Sequence, residues 1–349
     1  MKLSLFKKIT FGLSKIYLPQ DAQPLFKKNN SISDSSTSLI LNNFGNKNRN
    51  KIFYIIRRSP GAGLFSNFIF VLNHLKIAIS CKYIPIVDMK NFPTIYNEFK
   101  KINNTNNSWN YYFNNKIKVK LSHIYKNHRY IITSNKFSKS FTHNIDNDKY
   151  RNYFNKYFTI KKKYLNFTDL FAKKNFLKKT LAVHLRGTSY KTSANHPFPT
   201  TDDQTINLIE KILIENNYSK IFLCTEDLNY LNIIKKKFKD KVIFLKNAYR
   251  SYHDDAFKIY PKNLHRFKLG EDILIESLLI SKCDGFVYTN TNVSEFVKFL
   301  DKKKKINYFL IQNDFNSANA YIAKWLWYYK NIFPQFLGGF KKIAHVKKN

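Results

Sequence analysis

Cysteine and glycine are both scarce in this sequence of 349 residues, which contains three Cys and nine Gly. So little glycine excludes collagen-like and glycine-rich linker architectures. Cys81, Cys224 and Cys283 are too few and too far apart for a disulfide framework or a zinc cluster. We therefore expect a chain that works in a reducing compartment, the cytoplasm.

Long apolar runs are also missing from the sequence. No uninterrupted stretch approaches the roughly 18 apolar residues that a membrane-spanning helix needs, which excludes an integral membrane protein. The chain is nevertheless 44% hydrophobic and 17% aromatic, enough to bury a large core, so wholesale disorder is excluded as well. Its length fits about two domains of ordinary size.

Acidic residues are also few: the sequence contains 60 Lys and Arg but only 23 Asp and Glu, which gives a net charge of +37. Such an excess favours partners that are polyanions: nucleic acid, acidic lipid or a phosphorylated substrate. The lysine runs at 161–163, 235–237 and 302–305 are dispersed along the chain, and no nucleic-acid-binding motif accompanies them. We therefore expect no nucleic-acid partner.

Both ends of the chain combine lysines with apolar and aromatic residues. In residues 1–19, Lys7 and Lys8 interrupt the apolar stretch, which argues against a secretory signal. A basic amphipathic helix lying on an anionic membrane is one interpretation of this segment and of residues 325–342, which have the same character. A helix packed on the surface of its domain is the alternative for each, and the pattern does not separate the two.

Strand and helix patterns predict two successive α/β domains. Residues 1–50 are interpreted as a basic N-terminal segment followed by a polar loop. Residues 51–56, 66–80 and 83–87 then predict strand, helix and strand, which is a βαβ unit within a first domain over 51–175. Strands over 181–185, 221–224, 242–245 and 285–288, with helices over 228–238 and 273–281, predict a second parallel sheet within 176–349. We expect two Rossmann-like domains that face each other across a cleft, with helices at the C-terminus.

Polar side chains follow three strands of the second predicted sheet, where ligands of doubly wound sheets bind. The clusters are residues 184–190, 225–227 and 289–295. Arg186 beside Gly187 and Thr188 suits a phosphate, because a guanidinium binds bidentately and glycine lets backbone N–H groups approach. A helix that begins after Thr291 would add its N-terminal dipole.

Each cluster also has a structural interpretation. His184 fits a hydrogen-bonded core histidine, and Asp227 fits a helix N-cap. The turn from Thr289 to Ser294 fits a capping turn without any ligand. Three polar clusters at three strand ends of one sheet nevertheless favour a binding site.

The order of these motifs resembles the fucosyltransferase superfamily of the bacterial nodulation, eukaryotic α1,6- and protein O-fucosyltransferases. The resemblance rests on His184-x-Arg186-x-Thr188, on Thr225-Glu-Asp227 and on the block 273–289. Upstream, the segment 61–67 resembles the Gly-rich loop of the family's N-terminal domain, through Gly61, Gly63, Ser66 and Asn67. The likeness covers about half of the chain, residues 51–100 and 180–300.

The resemblance implies a glycosyltransferase of the GT-B fold, whose N-terminal domain binds the acceptor. It implies a GDP-sugar as the donor, which is GDP-fucose in most members. It also implies inversion at the anomeric carbon and no metal or other cofactor. It places Arg186 at the β-phosphate and His184 with Glu276 at the guanosine. It places the remaining donor contacts along the nucleotide and its phosphates: Gly187, Thr188, Thr225, Asp227, Thr289, Thr291, Asn292 and Ser294. The family often has a second Arg and an acid where this chain has Gly187 and Ser189, and commonly an Asp in place of Glu276.

The general base for the acceptor hydroxyl is expected from the N-terminal domain, with Asp88 and Glu98 as candidates; Asp88 equally fits a turn former at a strand end. No isolated Asp-x-Asp follows a strand, so no metal site is predicted. The leading interpretation is a cytoplasmic enzyme, peripheral on the inner membrane face, that acts on a glycan or glycolipid of the bacterial surface. The alternatives are transfer of another GDP-linked deoxyhexose or heptose, and a non-catalytic protein that binds polyanions or membranes.

Overall fold

The computed structural model describes residues 40–43, 50–58, 61–133 and 147–348. These residues divide into two compact units. The first unit contains the described chain up to Tyr164 together with Phe257–Leu274, and the second contains Leu165–Ala256 and the chain from Ile275 onward. The predicted boundaries at 51–175 and 176–349 remain predictions.

The first unit is a mixed α/β unit. Its strands are β1 (Ile40–Asn43), β2 (Ile52–Ile56), β3 (Ile84–Val87), β4 (Phe113–Asn115), β5 (Arg129–Ile132) and β6 (Phe158–Ile160). Its helices are α1 (Leu64–Ser80), α2 (Trp109–Tyr112), α3 (Leu121–Asn127) and α4 (Asn147–Tyr157), and α5 (Lys162–Asn175) leads into the second unit. The main sheet has the order β1-β5-β2-β3, and β4 pairs with β6.

The βαβ unit predicted over residues 51–87 is present in this sheet. Strand β2 is almost wholly buried and lies parallel to both β3 and β5. Helix α1 connects β2 to β3 and buries most of its apolar side chains. Burial on both faces explains why β2 is a continuous apolar run without polar alternation.

Residues 40–43 differ from their prediction. The polar composition of residues 20–50 predicts a loop, yet β1 forms an antiparallel pair with β5. The strand gains its hydrogen bonds from a partner far along the chain, so local composition carries little sign of it. The amphipathic helix interpreted over residues 1–19 and the loop over 20–39 and 44–49 lie outside the described residues.

The second unit contains a larger sheet with helices on both faces. Its strands are β7 (Thr180–Leu185), β8 (Lys220–Thr225), β9 (Val242–Ile243), β10 (Gly285–Tyr288), β11 (Asn307–Gln312) and β12 (His345–Lys348). Its helices are α6 (Asp202–Glu215), α7 (Leu228–Phe238), α8 (His265–Ile280, whose first turns belong to the first unit), α9 (Asn292–Leu300) and α10 (Ala320–Ile332).

The strand order of this sheet is β12-β11-β10-β7-β8-β9. Strands β7 to β11 are all parallel, and β12 closes one edge antiparallel to β11. The chain therefore runs outward from β7 to β8 and β9 on one side, and then returns to β10 and β11 on the other. This is the order of a doubly wound Rossmann-like sheet, and its topological switch point lies between β7 and β10.

The predicted strands and helices of this unit are confirmed in type and order, with two changes in length. Strand β9 ends at Ile243 rather than at 245, and helix α8 begins at His265, well before the predicted start at 273. The described residues thus form a mixed α/β structure with parallel sheets, as predicted.

Side chains of β7 alternate between two hydrophobic cores, which fixes the direction of its last residues. Leu181, Val183 and Leu185 pack with residues of α6 and α7 on one face. Ala182 packs on the other face with Leu279 of α8 and with residues of β8 and β10. Because side chains alternate along a strand, His184 lies on the same face as Ala182.

Candidate functional site

The carboxyl ends of β7 and β10 meet at the topological switch point of the second unit. Strand β7 ends at Leu185, which pairs with Thr225 at the end of β8, and β10 ends at Tyr288. The residues that follow these three strands are the polar clusters found in the sequence. In doubly wound sheets this crevice is where ligands bind.

Arg186 stands at the centre of this edge. Its Nε lies 3.1 Å from Glu226 Oε1, and its Nη2 donates to Ser189 Oγ over 3.4 Å. Its guanidinium carbon lies 4.7 Å from the ring centroid of Tyr190, at cation–π distance. The side chain keeps 32% of its surface exposed. Arg186 is therefore held by three neighbours and is still accessible to an anion from solvent.

Glu226 is a residue of this edge that the sequence analysis did not choose. One carboxylate oxygen, Oε1, faces the Arg186 guanidinium and also accepts the Gly187 N–H over 3.2 Å. The Gly187 amide is thus occupied by a side chain of the protein, whereas the sequence analysis assigned it to a phosphate. The only sequence signal for Glu226 is its place between Thr225 and Asp227.

Asp227 has a clear structural role. It is the N-cap of α7, where Oδ1 accepts the Asn229 N–H over 2.8 Å, and Oδ2 lies 3.2 Å from Lys191 Nζ. Its own N–H donates to Thr225 Oγ1 over 3.1 Å. The helix-cap interpretation of Asp227 is confirmed, and these contacts orient the loop that carries Arg186.

Two buried polar atoms at the switch point have no hydrogen-bond partner among the described residues. They are Nδ1 of His184 and Oγ1 of Thr289, and both residues are buried. Burial, with a smaller contribution from the Arg186 charge, lowers the pKa of His184 to about 3, so its imidazole is neutral near pH 7. An unsatisfied buried polar atom costs about 1–3 kcal/mol, which a ligand that supplies a hydrogen bond would recover.

The N-terminus of α9 lies directly after β10. Thr291 and Ser294 form a complete capping box, in which each side chain satisfies the backbone N–H of the other. Asn292 is exposed in the first turn, and Thr188, in the loop after β7, is half-buried. The predicted capping bonds are therefore present, and the predicted role of this turn at the donor remains a prediction. The capped helix also presents the positive end of its dipole at the edge that holds Arg186.

Glu276 of α8 forms a buried ion pair with Arg250, whose Nη2 lies 3.5 Å from Glu276 Oε1. Arg250 also donates to the carbonyl oxygens of Leu245 and Ala248 over 2.9 and 3.2 Å. Truncating one partner of such a pair leaves a buried charge uncompensated, so the first role of Glu276 is to neutralise Arg250. Its predicted contact with guanosine remains a prediction.

The two candidate bases of the first unit are engaged in local structure. Asp88 is wholly buried; its Oδ1 accepts two backbone N–H groups of the following turn, and its Oδ2 accepts from Asn91 and Tyr125. Glu98 is half-buried, and its Oε1 accepts the Phe267 N–H in the first turn of α8 over 2.9 Å. These bonds show that Asp88 shapes the turn after β3, and the action of either residue as a base remains a prediction.

The glycine-containing segment leads into helix α1, which begins at Leu64, two residues before its predicted start. Gly61 has φ +107°, a conformation that side chains with a Cβ rarely adopt, and Gly63 is the N-cap residue. Ser66 Oγ accepts from Arg58 Nη2 over 3.3 Å, and Asn67 Nδ2 donates to the Ala62 carbonyl over 3.4 Å. These contacts shape the turn, and the segment's role at the donor remains a prediction.

Metal sites and membrane-spanning helices are both absent from the described ranges. No group of three or more His, Cys, Asp or Glu in them is arranged to hold a metal ion. Within the same ranges, no helix is both long and apolar enough to cross a bilayer.

Comparisons with known proteins give a likeness in structure only. No protein-family model matches the sequence, and no curated protein matches it. Among solved structures, the chain is similar to NodZ α-1,6-fucosyltransferase soaked with GDP-fucose, at 12% identity and a TM-score of 0.48, over 76% of this chain and 96% of that one. The corresponding NodZ structure from Bradyrhizobium has 12% identity and a TM-score of 0.47, with the same coverage.

A plant protein is similar over more of the chain. A mutant of Arabidopsis thaliana FUT1 in complex with GDP covers 85% of this chain and 78% of its own length, at 8% identity and a TM-score of 0.43. These neighbours bear names from the superfamily that the sequence motifs resemble. At such identities and TM-scores, function must be inferred from the residues of the chain itself.

Proposed function

We propose that this protein is a glycosyltransferase that takes a sugar, fucose, from GDP-fucose. The observation that carries the proposal is the combination at the switch point of the second unit. An accessible Arg186, unpartnered buried atoms on His184 and Thr289, and the N-terminus of α9 share one edge of a Rossmann-like sheet. A nucleoside diphosphate offers the negative charge and the hydrogen-bonding groups that these elements need.

The proposed chemistry is direct displacement at the anomeric carbon. The bond from that carbon to the β-phosphate oxygen breaks, while a new bond forms to the acceptor hydroxyl oxygen on the opposite face, which inverts the configuration. The hydroxyl proton passes to a base, for which Glu98 is the better of the two sequence candidates because Asp88 is fully engaged in its turn. The departing GDP takes the bonding electron pair as negative charge.

Arg186 and the N-terminus of α9 would stabilise this developing charge. Fixed donors that act in this way are typically worth about 2.7–4 kcal/mol each, on the order of a hundred- to thousand-fold in rate. Because cationic and dipolar groups of the protein supply the stabilisation, transfer is expected to proceed without a metal ion and to continue in excess EDTA. Restoration of a lost activity by manganese would contradict this part of the proposal.

Glu226 is proposed to position the Arg186 guanidinium. Its carboxylate faces the Nε side and is fixed by the Gly187 N–H, so the terminal nitrogens can turn toward a diphosphate. Neutral His184 would contact the guanosine, with Glu276 acting there through its ion pair with Arg250. The resemblance also implies two Rossmann-like domains that face each other across a cleft, and we include this arrangement in the proposal.

The acceptor is proposed to be a glycan or glycolipid of the bacterial surface, glycosylated at the cytoplasmic face of the membrane. A chain with net charge +37 is attracted to anionic acceptors and membranes, which supports this choice. Another GDP-linked sugar is the second candidate, because Gly187 and Ser189 replace residues common in the family. Gly187 packs against Asp227, and Ser189 contacts Arg186, so both positions lie at the donor edge.

Thermal unfolding in the presence of GDP, UDP, CDP and ADP tests the proposed donor class. We expect a clear rise in the melting temperature with GDP and smaller rises with the other three, because binding to the folded state stabilises it by mass action. Release of GDP from a panel of GDP-sugars then identifies the sugar. Indifference to all four nucleotides, together with strong binding to heparin, would instead support the non-catalytic alternative.

A further inference from the structure

The outward face of helix α10 is an unusual apolar surface. Tyr321, Trp325, Tyr328, Tyr329 and Ile332 follow one another at the spacing of a single helical face. All five are exposed, with 80%, 72% and 76% of the surface of Tyr321, Trp325 and Ile332 accessible. The opposite face holds the helix to the unit through buried Ala323 and Trp327. Single exposed apolar residues are ordinary, but a contiguous aromatic face is not.

The turn that follows α10 extends this surface. Phe333, Phe336 and Leu337 are exposed, and Phe336 keeps 85% of its surface accessible. The turn is tied back to the helix by the bond from Tyr329 Oη to the Leu337 carbonyl, 2.7 Å, and by the Phe340 N–H to the Lys330 carbonyl, 2.8 Å. We call these eight exposed residues the aromatic face: Tyr321, Trp325, Tyr328, Tyr329, Ile332, Phe333, Phe336 and Leu337. Its side chains are presented by a fixed backbone and not by a loose tail.

The charge around the aromatic face is mainly positive. Beyond Asp314 the sequence contains no acidic residue, whereas it contains lysines at 324, 330, 341, 342, 347 and 348. Lys324, Lys341 and Lys342 are exposed beside the face. Asp202 and Asp203 line the same cavity as Phe333, Lys341 and Lys342, and lysines outnumber acids there. Aromatic rings flanked by an excess of lysines complement an anionic lipid surface, where Trp and Tyr occupy the headgroup level and Lys binds the acidic headgroups.

We infer that the aromatic face docks this protein onto an anionic membrane surface, with Trp325 and Phe336 entering the interfacial layer. The proposal does not depend on the donor or on catalysis. The helix is joined to the donor edge, however. Trp327 donates to the Pro199 carbonyl over 2.9 Å and lies 5.0 Å from Lys191, the residue that pairs with Asp227. Docking would therefore hold the loop after β7 close to the lipid surface.

Vesicle co-sedimentation of the full chain tests the proposal. Binding to phosphatidylcholine vesicles that contain phosphatidylglycerol is expected, with much weaker binding to phosphatidylcholine alone. A variant with Trp325→Ser and Phe336→Ser should bind at least about tenfold more weakly, because it loses two interfacial aromatics. A variant with Lys341→Gln and Lys342→Gln should lose on the order of tenfold, selectively on the anionic vesicles.

Matched controls come from isolated apolar residues on the same unit. Leu177 and Ile214 are 80% and 71% exposed and lie away from the aromatic face, so Leu177→Ser with Ile214→Ser should bind vesicles like the wild type. If this control loses binding as strongly as the Trp325→Ser and Phe336→Ser variant, the surface proposed here is wrong.

Tryptophan fluorescence gives a second and independent measure. The chain has three tryptophans, and Trp109 and Trp327 are buried whereas Trp325 is exposed. Anionic vesicles should shift the emission to the blue, and brominated lipid should quench it, with both effects absent in Trp325→Phe. Two results would overturn the proposal. One is a wild-type dimer that becomes monomeric in the Ser variant without any vesicle binding. The other is a Trp325 already shielded from acrylamide before lipid is added, which would indicate cover by another part of the chain.

Discussion

Gly187 shows how a single residue determines the geometry of the loop that carries Arg186. A Cβ at this position would lie 2.1 Å from Asp227 Oδ2, closer than any real contact, so only glycine lets the loop pass the cap of α7. The superfamily that the motifs resemble often has a second arginine at this position. The close approach of Asp227 to the backbone is the steric reason that this chain has glycine there.

Gly187→Ala should destabilise the protein by about 1–3 kcal/mol, because the methyl group displaces the Asp227 carboxylate and disturbs the cap of α7. Urea unfolding measures the loss. Gly63→Ala is the matched control, since a Cβ there meets only Tyr96 Oη, at 4.0 Å, and we expect it to cost less than about 1 kcal/mol. Equal effects of the two substitutions would refute the steric account.

Sequence reasoning found Arg186 and His184 because both belong to one strand end, where alternation and a following glycine are visible locally. It missed Glu226 because the residue acts from the neighbouring strand. The register that aligns Leu185 with Thr225 brings Glu226 beside Arg186, and no local pattern encodes that register. For Asp88 the sequence left a base and a turn former open, because only the folded turn reveals its four hydrogen bonds.

At the scale of elements, the second unit offers two closely comparable helix caps. Thr291 caps α9 in a box with Ser294, and Thr201 caps α6 in a box with Gln204. Only α9 begins at the switch point proposed for the diphosphate. The two helices therefore allow the contribution of a cap to stability to be separated from its contribution to ligand binding.

Thr291→Ala and Thr201→Ala should each lower the free energy of unfolding by about 1 kcal/mol, the usual cost of losing a threonine cap. Thr291→Ala should in addition weaken GDP binding severalfold, because fraying of the first turn moves the amides that face the phosphates. Denaturant unfolding and calorimetric titration of GDP measure the two effects. Equal GDP affinity in both variants would exclude α9 from the site.

Elements with strong local patterns were predicted well, and those defined by distant partners were not. Strands β2, β7, β8 and β10 are buried apolar runs, and their type and order are confirmed. Strand β12, His345–Lys348, carries mostly exposed side chains, and only its antiparallel pairing with β11 makes it a strand. Its lysines show no apolar alternation, so the sequence analysis passed over it.

At the scale of the whole molecule, two buried histidines connect the fold to pH. His74 shares a hydrogen bond of 2.9 Å with Tyr54 Oη, and burial, with a smaller contribution from Arg58, lowers its pKa to about 4. The pKa of His184 is lowered in the same direction, to about 3. In the unfolded chain both would titrate near their ordinary value of 6.5.

At a pH between the folded and the unfolded pKa of each histidine, the unfolded state binds a proton that the folded state does not. The free energy of unfolding must therefore fall as the pH drops below about 6.5. His74→Asn removes one such group. Between pH 5.5 and 4.5, we expect the variant's free energy of unfolding to fall less steeply than that of the wild type, by about 1 kcal/mol per pH unit. Denaturant unfolding at several pH values measures both slopes, and identical slopes would contradict the shift assigned to His74.

For the whole molecule, function depends on whether the Arg186 edge binds the diphosphate of GDP, and calorimetric titration of GDP measures this binding. The wild type should bind, and Arg186→Ala should lose at least about tenfold in affinity with an unchanged melting temperature. Lys282→Ala, which removes a surface cation paired with Asp169 in the same unit, should bind like the wild type. A folded Arg186→Ala protein with wild-type affinity for GDP would contradict the account.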